Sequence, residues 1–477
     1  MHLFKQWPAY AAGRLLPAAV GFGGIALYTR MVDPASFGTY ALLLSTAFLV
    51  GLIGYSWLRV ASLRMMASVA PADEANVGAT IALAFAAVSL VVGAVIVLGL
   101  RVYNPGLGWT TTSLTAACAI ASGWFELNVS IAQARLRVGA YGMLQTGRAF
   151  GALLCSLALI AAGFKANALL GGFAVGNCAA FGAFGLWKGT SRGHFSRTLL
   201  ARFFLFGWPS SIASLSYVSN TFQRFALEAI GGSAIVGIFA AASDFSQQTV
   251  GLLIGTATLA GQPLAFRARD LGSKEQLAEQ LRNNARLVFA IGLPAAVGLI
   301  VLAGPISEIY LGARFHVHSG TVIAIGAAVM FLSGLRGSYF EQIFEIALKT
   351  RAVAANTVVR VVLTIAFSLW LIRPYGAIGA ALAMLLAEVV GLALSVVWAR
   401  RLMHTPIPWK SWFKVIAATA TMVAAIAVVP VRSTFLGLFV SFAVGAVAYG
   451  AAVALAHPRS LRTYLGSFVP AKRARQT

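Results

Sequence analysis

The sequence predicts an all-α polytopic membrane protein with about fourteen transmembrane helices. Three observations predict it. Only 10% of the 477 residues are charged and 59% are hydrophobic, whereas a soluble chain carries about 25% charged residues. Apolar stretches recur along the whole chain, each near the roughly 20 residues that a spanning helix needs. The basic residues gather in every second connection between those stretches, the pattern of a membrane protein with a positive inner side.

In chain order the expected spans are 10–31, 38–58, 77–100, 108–133, 142–163, 166–187, 203–223, 232–258, 286–304, 318–346, 352–372, 376–399, 412–430 and 434–456. One set of connections and adjoining helix ends holds clusters: Lys5 and Arg14, Arg59 and Arg64, Arg135 with Arg137 and Arg148, and Lys188 through Arg202. It continues with Arg267 through Arg286, Lys349 and Arg351, Arg400 through Lys414, and the basic tail from Arg459. The opposite set holds single residues: Arg30, Arg101, Lys165, Arg224, Arg314, Arg373 and Arg432. Positive residues stay cytoplasmic, so both termini are expected inside. A missed span would break the alternation. The formal charge of +23 is therefore spread over membrane loops, and no nucleic-acid partner is expected. The outer loops are short, which leaves no room there for a soluble domain. Ser273-Lys274-Glu275-Gln276 has a capping-box pattern. Leu277, Leu281 and Ala285 follow on one face, which predicts an interfacial amphipathic helix leading into the ninth span. The N-terminus lacks a signal-peptide cleavage pattern, so the first helix is expected to be retained. Cys118, Cys155 and Cys178 lie in apolar segments and form no disulfide framework.

The chain reads as two related halves. In Phe203–Ser243, Pro209 precedes Arg224, a short turn and Val236-Gly237-Ile238-Phe239-Ala240. In Gly13–Ser45, Pro17 precedes Arg30, a short loop and Phe37-Gly38-Thr39-Tyr40-Ala41. Pro209 is expected to kink the seventh span, and Arg224 to sit at its outer end. Internal repeats are a recurring plan among secondary transporters. The expected division is an N-terminal lobe over 1–200, a C-terminal lobe over 201–402, and two further helices with a basic tail over 403–477.

Arg30-Met31-Val32-Asp33-Pro34-Ala35-Ser36-Phe37-Gly38-Thr39-Tyr40, Phe206-Gly207-Trp208-Pro209, Val236-Gly237-Ile238-Phe239, Ile309-Tyr310-Leu311-Gly312 and Tyr375-Gly376-Ala377-Ile378-Gly379-Ala380-Ala381 resemble, in order and spacing, elements of one family. This is the polysaccharide-biosynthesis flippases of the multidrug/oligosaccharidyl-lipid/polysaccharide (MOP) exporter superfamily, which includes the O-antigen flippases. One departure is that Gln223 precedes Arg224 where many relatives have an acidic-basic pair. The resemblance implies two six-helix lobes around a central cavity, in a bacterial inner membrane. It implies movement of a polyprenyl-diphosphate-linked oligosaccharide from the cytoplasmic to the periplasmic leaflet by alternating access, for O-antigen, capsule or exopolysaccharide synthesis. Membrane lipids and other polysaccharide-assembly proteins are the partners it implies.

Such a headgroup needs cationic donors, because desolvating its charge is costly. Arginine suits phosphate oxygens. Asn356, Arg360, Thr364 and Ser368 recur every four residues and make a polar stripe on the eleventh span. Arg360 is the leading diphosphate candidate, with pairing to Glu388 as its structural alternative. Arg14, Arg148, Arg224 and Arg336 are further candidates. Snorkelling is the alternative for Arg14 and Arg148, and pairing with Glu228 and Glu341 is the alternative for Arg224 and Arg336. Ser216 and Asn220 stack with Arg224 on one face and complete the substrate-binding set. Asp244, Glu126 and Glu388 are the candidates for proton or sodium coupling, with structural pairing as the default. The tryptophans lie near helix ends, as in an interfacial belt.

No cofactor or metal is expected. His316 and His318 lack the further ligands of a metal site, and no Walker A motif or catalytic constellation occurs. An enzyme is therefore not expected. A multidrug cation exporter is the alternative, marked by acidic cavity residues. A membrane glycan polymerase or ligase ranks third, since the short outer loops do not suit it.

Overall fold

A computed structural model describes residues 2–456 apart from 67–68, 70–72, 136, 180–192, 215, 259–260, 403–406 and 430–433; the side chains of residues 1–15 and of a few helical positions, Pro209 and Ser216 among them, lie outside the description. Every regular element described is a helix. They are α1 (His2–Met31), α2 (Pro34–Met66), α3 (Glu74–Tyr103), α4 (Trp109–Ala134), α5 (Val138–Ala161), α6 (Lys165–Ala179), α7 (Arg197–Ala213) and α8 (Ser216–Ser246). There follow α9 (Leu252–Thr258), α10 (Gly261–Leu271), α11 (Lys274–Val301), α12 (Ala303–Tyr310), α13 (Ser319–Leu335), α14 (Glu341–Ile346), α15 (Thr350–Leu402), α16 (Trp409–Val428) and α17 (Phe435–Ala456). π-helical turns at Gln247–Gly251 and Arg336–Phe340 join α8 to α9 and α13 to α14.

Ten described helical stretches are long and apolar enough to cross a membrane. Two of them, of 42 and 52 residues, exceed one crossing of about 20 residues. Each is broken at a glycine with positive φ, Gly232 (76°) and Gly376 (53°), a conformation that L side chains rarely adopt. The Gly376 reversal is tight. A Cβ at Gly379 would stand 2.0 Å from the Leu371 carbonyl oxygen. With both breaks counted, and with α1 and α6, the arrangement agrees with about fourteen crossings. The Ser273 capping box forms as expected, with Ser273 accepting from the Gln276 amide and Gln276 bonding back. Its helix continues without interruption into the membrane.

Two details differ from the sequence reading. The seventh span is divided at Ser214, where the backbone turns between α7 and α8. The Ile309–Gly312 stretch, expected as loop, is largely the end of a short helix, α12, whose apolar residues Ile306 and Ile309 are buried.

α5 packs on α1 and α6, and α4 on α2, α3 and α6. Separately, α8 packs on α13 and α15, and α11 on α13 and α16. α2 joins the two groups along α7 and α8. Where the start of α2 meets α8, that seam has no room for side chains. A Cβ on Gly38 would meet the Ser233 carbonyl oxygen at 1.7 Å, and one on Gly237 would meet that of Pro34 at 2.1 Å. These are the corresponding glycines of the two sequence repeats, and they face each other.

Candidate functional site

Between α2, α4, α5 and the first segment of α8 lies a cavity of about 440 Å³. Its α2 wall runs from Leu44 to Arg59, about 22 Å of helix at 1.5 Å per residue. Along that wall Ser45, Tyr55, Ser56 and Arg59 present polar groups. α4 adds Ser122 and Glu126, and α5 adds Arg148. From the other side come Tyr217, Asn220, Thr221, Arg224, Asp244 and Gln247.

The charges are partly paired. Arg224 donates to Asp244 at 3.1 Å and to the Ala41 carbonyl at 2.7 Å. Its side chain is 8% exposed, and its Nε is buried with no hydrogen-bond partner among the described residues. Arg148 lies 3.7 Å from Glu126, with its guanidinium 4.4 Å from the centre of the Phe125 ring. Arg59 makes no ion pair among the described residues. Three guanidinium groups thus face two carboxylates, and the excess is positive. Asp244 and Asn220 also border a small pocket of about 30 Å³ between α8, α13 and α15.

The structure therefore brings together Arg148, Arg224, Asn220, Glu126 and Asp244 from the sequence candidates. Arg224 is not at an outer helix end. It lies eight residues before the Gly232 break, about 12 Å along the helix, and it pairs with Asp244 rather than Glu228. Glu228 instead accepts from the Ser233 hydroxyl at 2.9 Å. Gln223, at the departure from the family pattern, donates to the Ser368 hydroxyl at 3.0 Å and the Ala380 carbonyl at 2.9 Å. The acidic partner of Arg224 comes from the next membrane segment. Arg14 and Ser216 belong to helices, but their side chains lie outside the described residues.

Arg360, Arg336, Glu388 and Asn356 do not line this cavity. The π turn at the end of α13 aims Arg336 at Glu341 and Glu388, each at 2.5 Å, and Arg360 reaches Glu388 at 3.0 Å. Two cations and two anions balance. Asn356 is fully buried and donates to Glu341, Ser395 and the Gly391 carbonyl. A Cβ on Gly391 would stand 2.3 Å from Arg360 Cδ, so this glycine leaves the space that the arginine stem fills. The four-residue stripe faces neighbouring helices, and Arg360 has the pairing that was its structural alternative.

The residue that the sequence reading missed is Arg59. It was counted as a loop charge, but α2 continues to Met66 and carries Arg59 within the helix. The available signal was the spacing of Ser45, Ser56 and Arg59, which share one helical face. Among the described residues no group of three or more His, Cys, Asp or Glu side chains could hold a metal ion.

The model of a polysaccharide biosynthesis protein family matches residues 27–320. The chain belongs to this family. The matched stretch contains the whole α2–α8 seam and every described residue of the cavity. No curated protein matches the chain. Among solved structures, lipid II flippase MurJ in an inward closed conformation is similar at a TM-score of 0.76 and 13% identity, covering 95% of this chain and 99% of that one. A MATE transporter in a straight conformation is similar at 0.58 and 13%, covering 83% and 94%. A MOP superfamily transporter from Pyrococcus furiosus, described by the reverse polarity of its binding pocket, is similar at 0.53 and 14%, covering 82% and 93%. At these identities the likeness is one of fold. This family member is a multi-pass membrane protein with the fold of MOP transporters.

Proposed function

We propose that the protein is a flippase for a polyprenyl-diphosphate-linked oligosaccharide. It would turn the headgroup from the cytoplasmic to the outer leaflet of a bacterial inner membrane by alternating access, for cell-surface polysaccharide synthesis. The observation that carries this reading is the positive excess of the central cavity, lined by Arg148, Arg224 and an Arg59 that makes no ion pair among the described residues. A diphosphate gains charge-assisted hydrogen bonds from guanidinium groups, and the serines, tyrosines and Asn220 suit sugar hydroxyls. Membership of a polysaccharide biosynthesis family and a fold shared with a lipid II flippase support the same reading. The helices before about residue 200 and those of 201–402 act as the two lobes, with α16 and α17 beside the second. Arginine clusters at one set of helix ends support an inside location of both termini. The role is transport rather than enzymatic chemistry.

Asp244 and Glu126 are the coupling candidates that share the cavity with the substrate. A headgroup that takes Arg224 or Arg148 from its carboxylate leaves that carboxylate free to bind a proton or a sodium ion. The cation-exporter alternative is disfavoured, because both cavity carboxylates already have an arginine partner.

The test is flipping of a fluorescent polyprenyl-diphosphate sugar by the reconstituted protein in liposomes, with and without a pH gradient. Wild type flips the lipid and Arg59→Ala slows it. Export of organic cations by a wild type that moves no lipid would overturn the reading.

A further inference from the structure

A second concavity lies on the lipid-facing side of the same α2 wall. It is a groove of about 610 Å³ between α2, α3 and α7. Its walls are Trp57 of α2, Ala87, Val88 and Val91 of α3, and Phe204 and Trp208 of α7. Trp57 and Phe204 pack edge to face, with centroids 5.5 Å apart. Gly54 forms the floor, where a Cβ would meet Val92 Cγ2 at 2.7 Å. Near Gly207, α2 and α7 are pressed together, and a Cβ there would meet the Trp57 carbonyl oxygen at 2.0 Å.

The groove and the cationic cavity share a wall. Ser56 lines the cavity and Ser211 lines the groove. Their hydroxyls are 3.1 Å apart, and the Ser214 hydroxyl approaches Ser56 at 3.4 Å. The chain turns at Ser214 between α7 and α8, so the wall stands beside a break in the helix. A neutral hydroxyl pair is a weak contact once its exchange with water is counted.

We infer that this groove seats the isoprenoid tail of the same lipid whose anionic headgroup occupies the cavity, and that the Ser56–Ser211 contact is the partition through which the two are joined. The inference rests on the flippase reading. A polar head and an apolar chain are covalently linked, so a head in the cavity forces the chain to leave through a wall. Here a wall of small hydroxyl side chains, next to a backbone break, separates a positive cavity from an apolar aromatic groove. Lipid tails are as apolar as the groove. Its contribution is therefore packing and a fixed exit path rather than hydrophobic drive.

The test uses the full chain in nanodiscs. Binding of a long-chain polyprenyl diphosphate is compared with that of geranyl diphosphate, and a diazirine-bearing long-chain polyprenyl diphosphate maps the tail by cross-linking. In Ala87→Trp and Val91→Trp, which fill the groove from exposed positions on α3, the ratio of long-chain to short-chain affinity falls about tenfold. Arg59→Ala lowers both affinities alike. In wild type the diazirine labels the α3 and α7 segments, and phospholipid does not compete it away. An unchanged ratio with labelling elsewhere overturns the tail seat and leaves the headgroup reading standing. If neither diphosphate binds wild type, the headgroup reading falls, and an uncharged diazirine polyprenol then decides the groove. Labelling there that long-chain polyprenol competes and phospholipid does not upholds the seat; labelling competed by phospholipid overturns it.

Discussion

The two charge clusters of this protein use the same residue types for opposite ends. Around Glu388, two arginines and two glutamates are balanced and closely spaced, with Arg336, Glu341 and Glu388 buried and Arg360 19% exposed. Along the cavity, three arginines and two carboxylates are spread over its walls, and the acidic partners keep 34% and 40% of their side-chain surface exposed. A balanced buried cluster fixes helices to one another. An unbalanced and accessible one retains charge for a ligand. On the proposed function, the count of nearby carboxylates rather than depth alone separates candidate substrate arginines from structural ones.

That contrast can be broken from either side. The largest effect is expected for Glu388→Gln, which leaves Arg336 and Arg360 buried with Glu341 as the remaining carboxylate. It should destabilise the fold by about 3 kcal/mol, read as a lowered thermal-unfolding midpoint in detergent. An unchanged midpoint would show the cluster to be dispensable. Arg59→Ala is expected to leave the midpoint alone and slow flipping about tenfold, the loss that accompanies one charge-assisted hydrogen bond. Arg360→Ala should do the reverse, lowering the midpoint while the folded protein still flips. If Arg360→Ala abolishes flipping in folded protein, the balanced cluster belongs to the transport site.

A further test concerns the glycine seam between α2 and α8, which the proposed orientation puts on the outer side of the cavity. Gly38→Val cannot keep the approach of α2 to Ser233, so the outer seam should part. A cysteine placed at Ser45 should then react faster with a membrane-impermeant thiol reagent from the outside, and equal reactivity would remove the seam from the gate. The smallest effect is expected at the start of α2. Asp33 caps that helix, accepting from the Ser36 amide at 2.9 Å and the Ser36 hydroxyl at 2.8 Å. Burial acts to raise the Asp33 carboxyl, but those hydrogen bonds and Lys165 outweigh it, and its pKa lies below the ordinary value. A carboxylate depressed in the folded state stabilises above its unfolded pKa, about 3.9. That stabilisation is lost as pH falls through the folded value. Asp33→Ala should cost about 1 kcal/mol at neutral pH and less in acid; a cost independent of pH would remove the carboxylate from the cap.

The α1 arginine in the first repeat shows the limits of internal symmetry. Arg30 and Arg224 occupy matching places in the sequence. Arg30 donates to the carbonyls of Ile309 at 2.6 Å and Tyr310 at 3.1 Å, closing the end of α12. Arg224 is drawn into the cavity by Asp244. The repeats share glycine contacts because backbone geometry is common to both, while their arginines diverge with their neighbours.

The sequence by itself determined the class of fold, the approximate number of crossings and the Ser273 cap. These follow from local forces: hydropathy over one span and hydrogen bonds within a turn. It also marked which helical faces are polar, as at Asn356, Arg360, Thr364 and Ser368. Only the tertiary structure decided what those faces meet. Four-residue spacing fixes a direction around one helix axis, whereas the partner in that direction comes from a segment far away in the chain. So the regular stripe of the eleventh span turned toward Glu388 and Ser395, and Arg59, placed by the sequence among the connection charges, lines the cavity without an ion pair among the described residues.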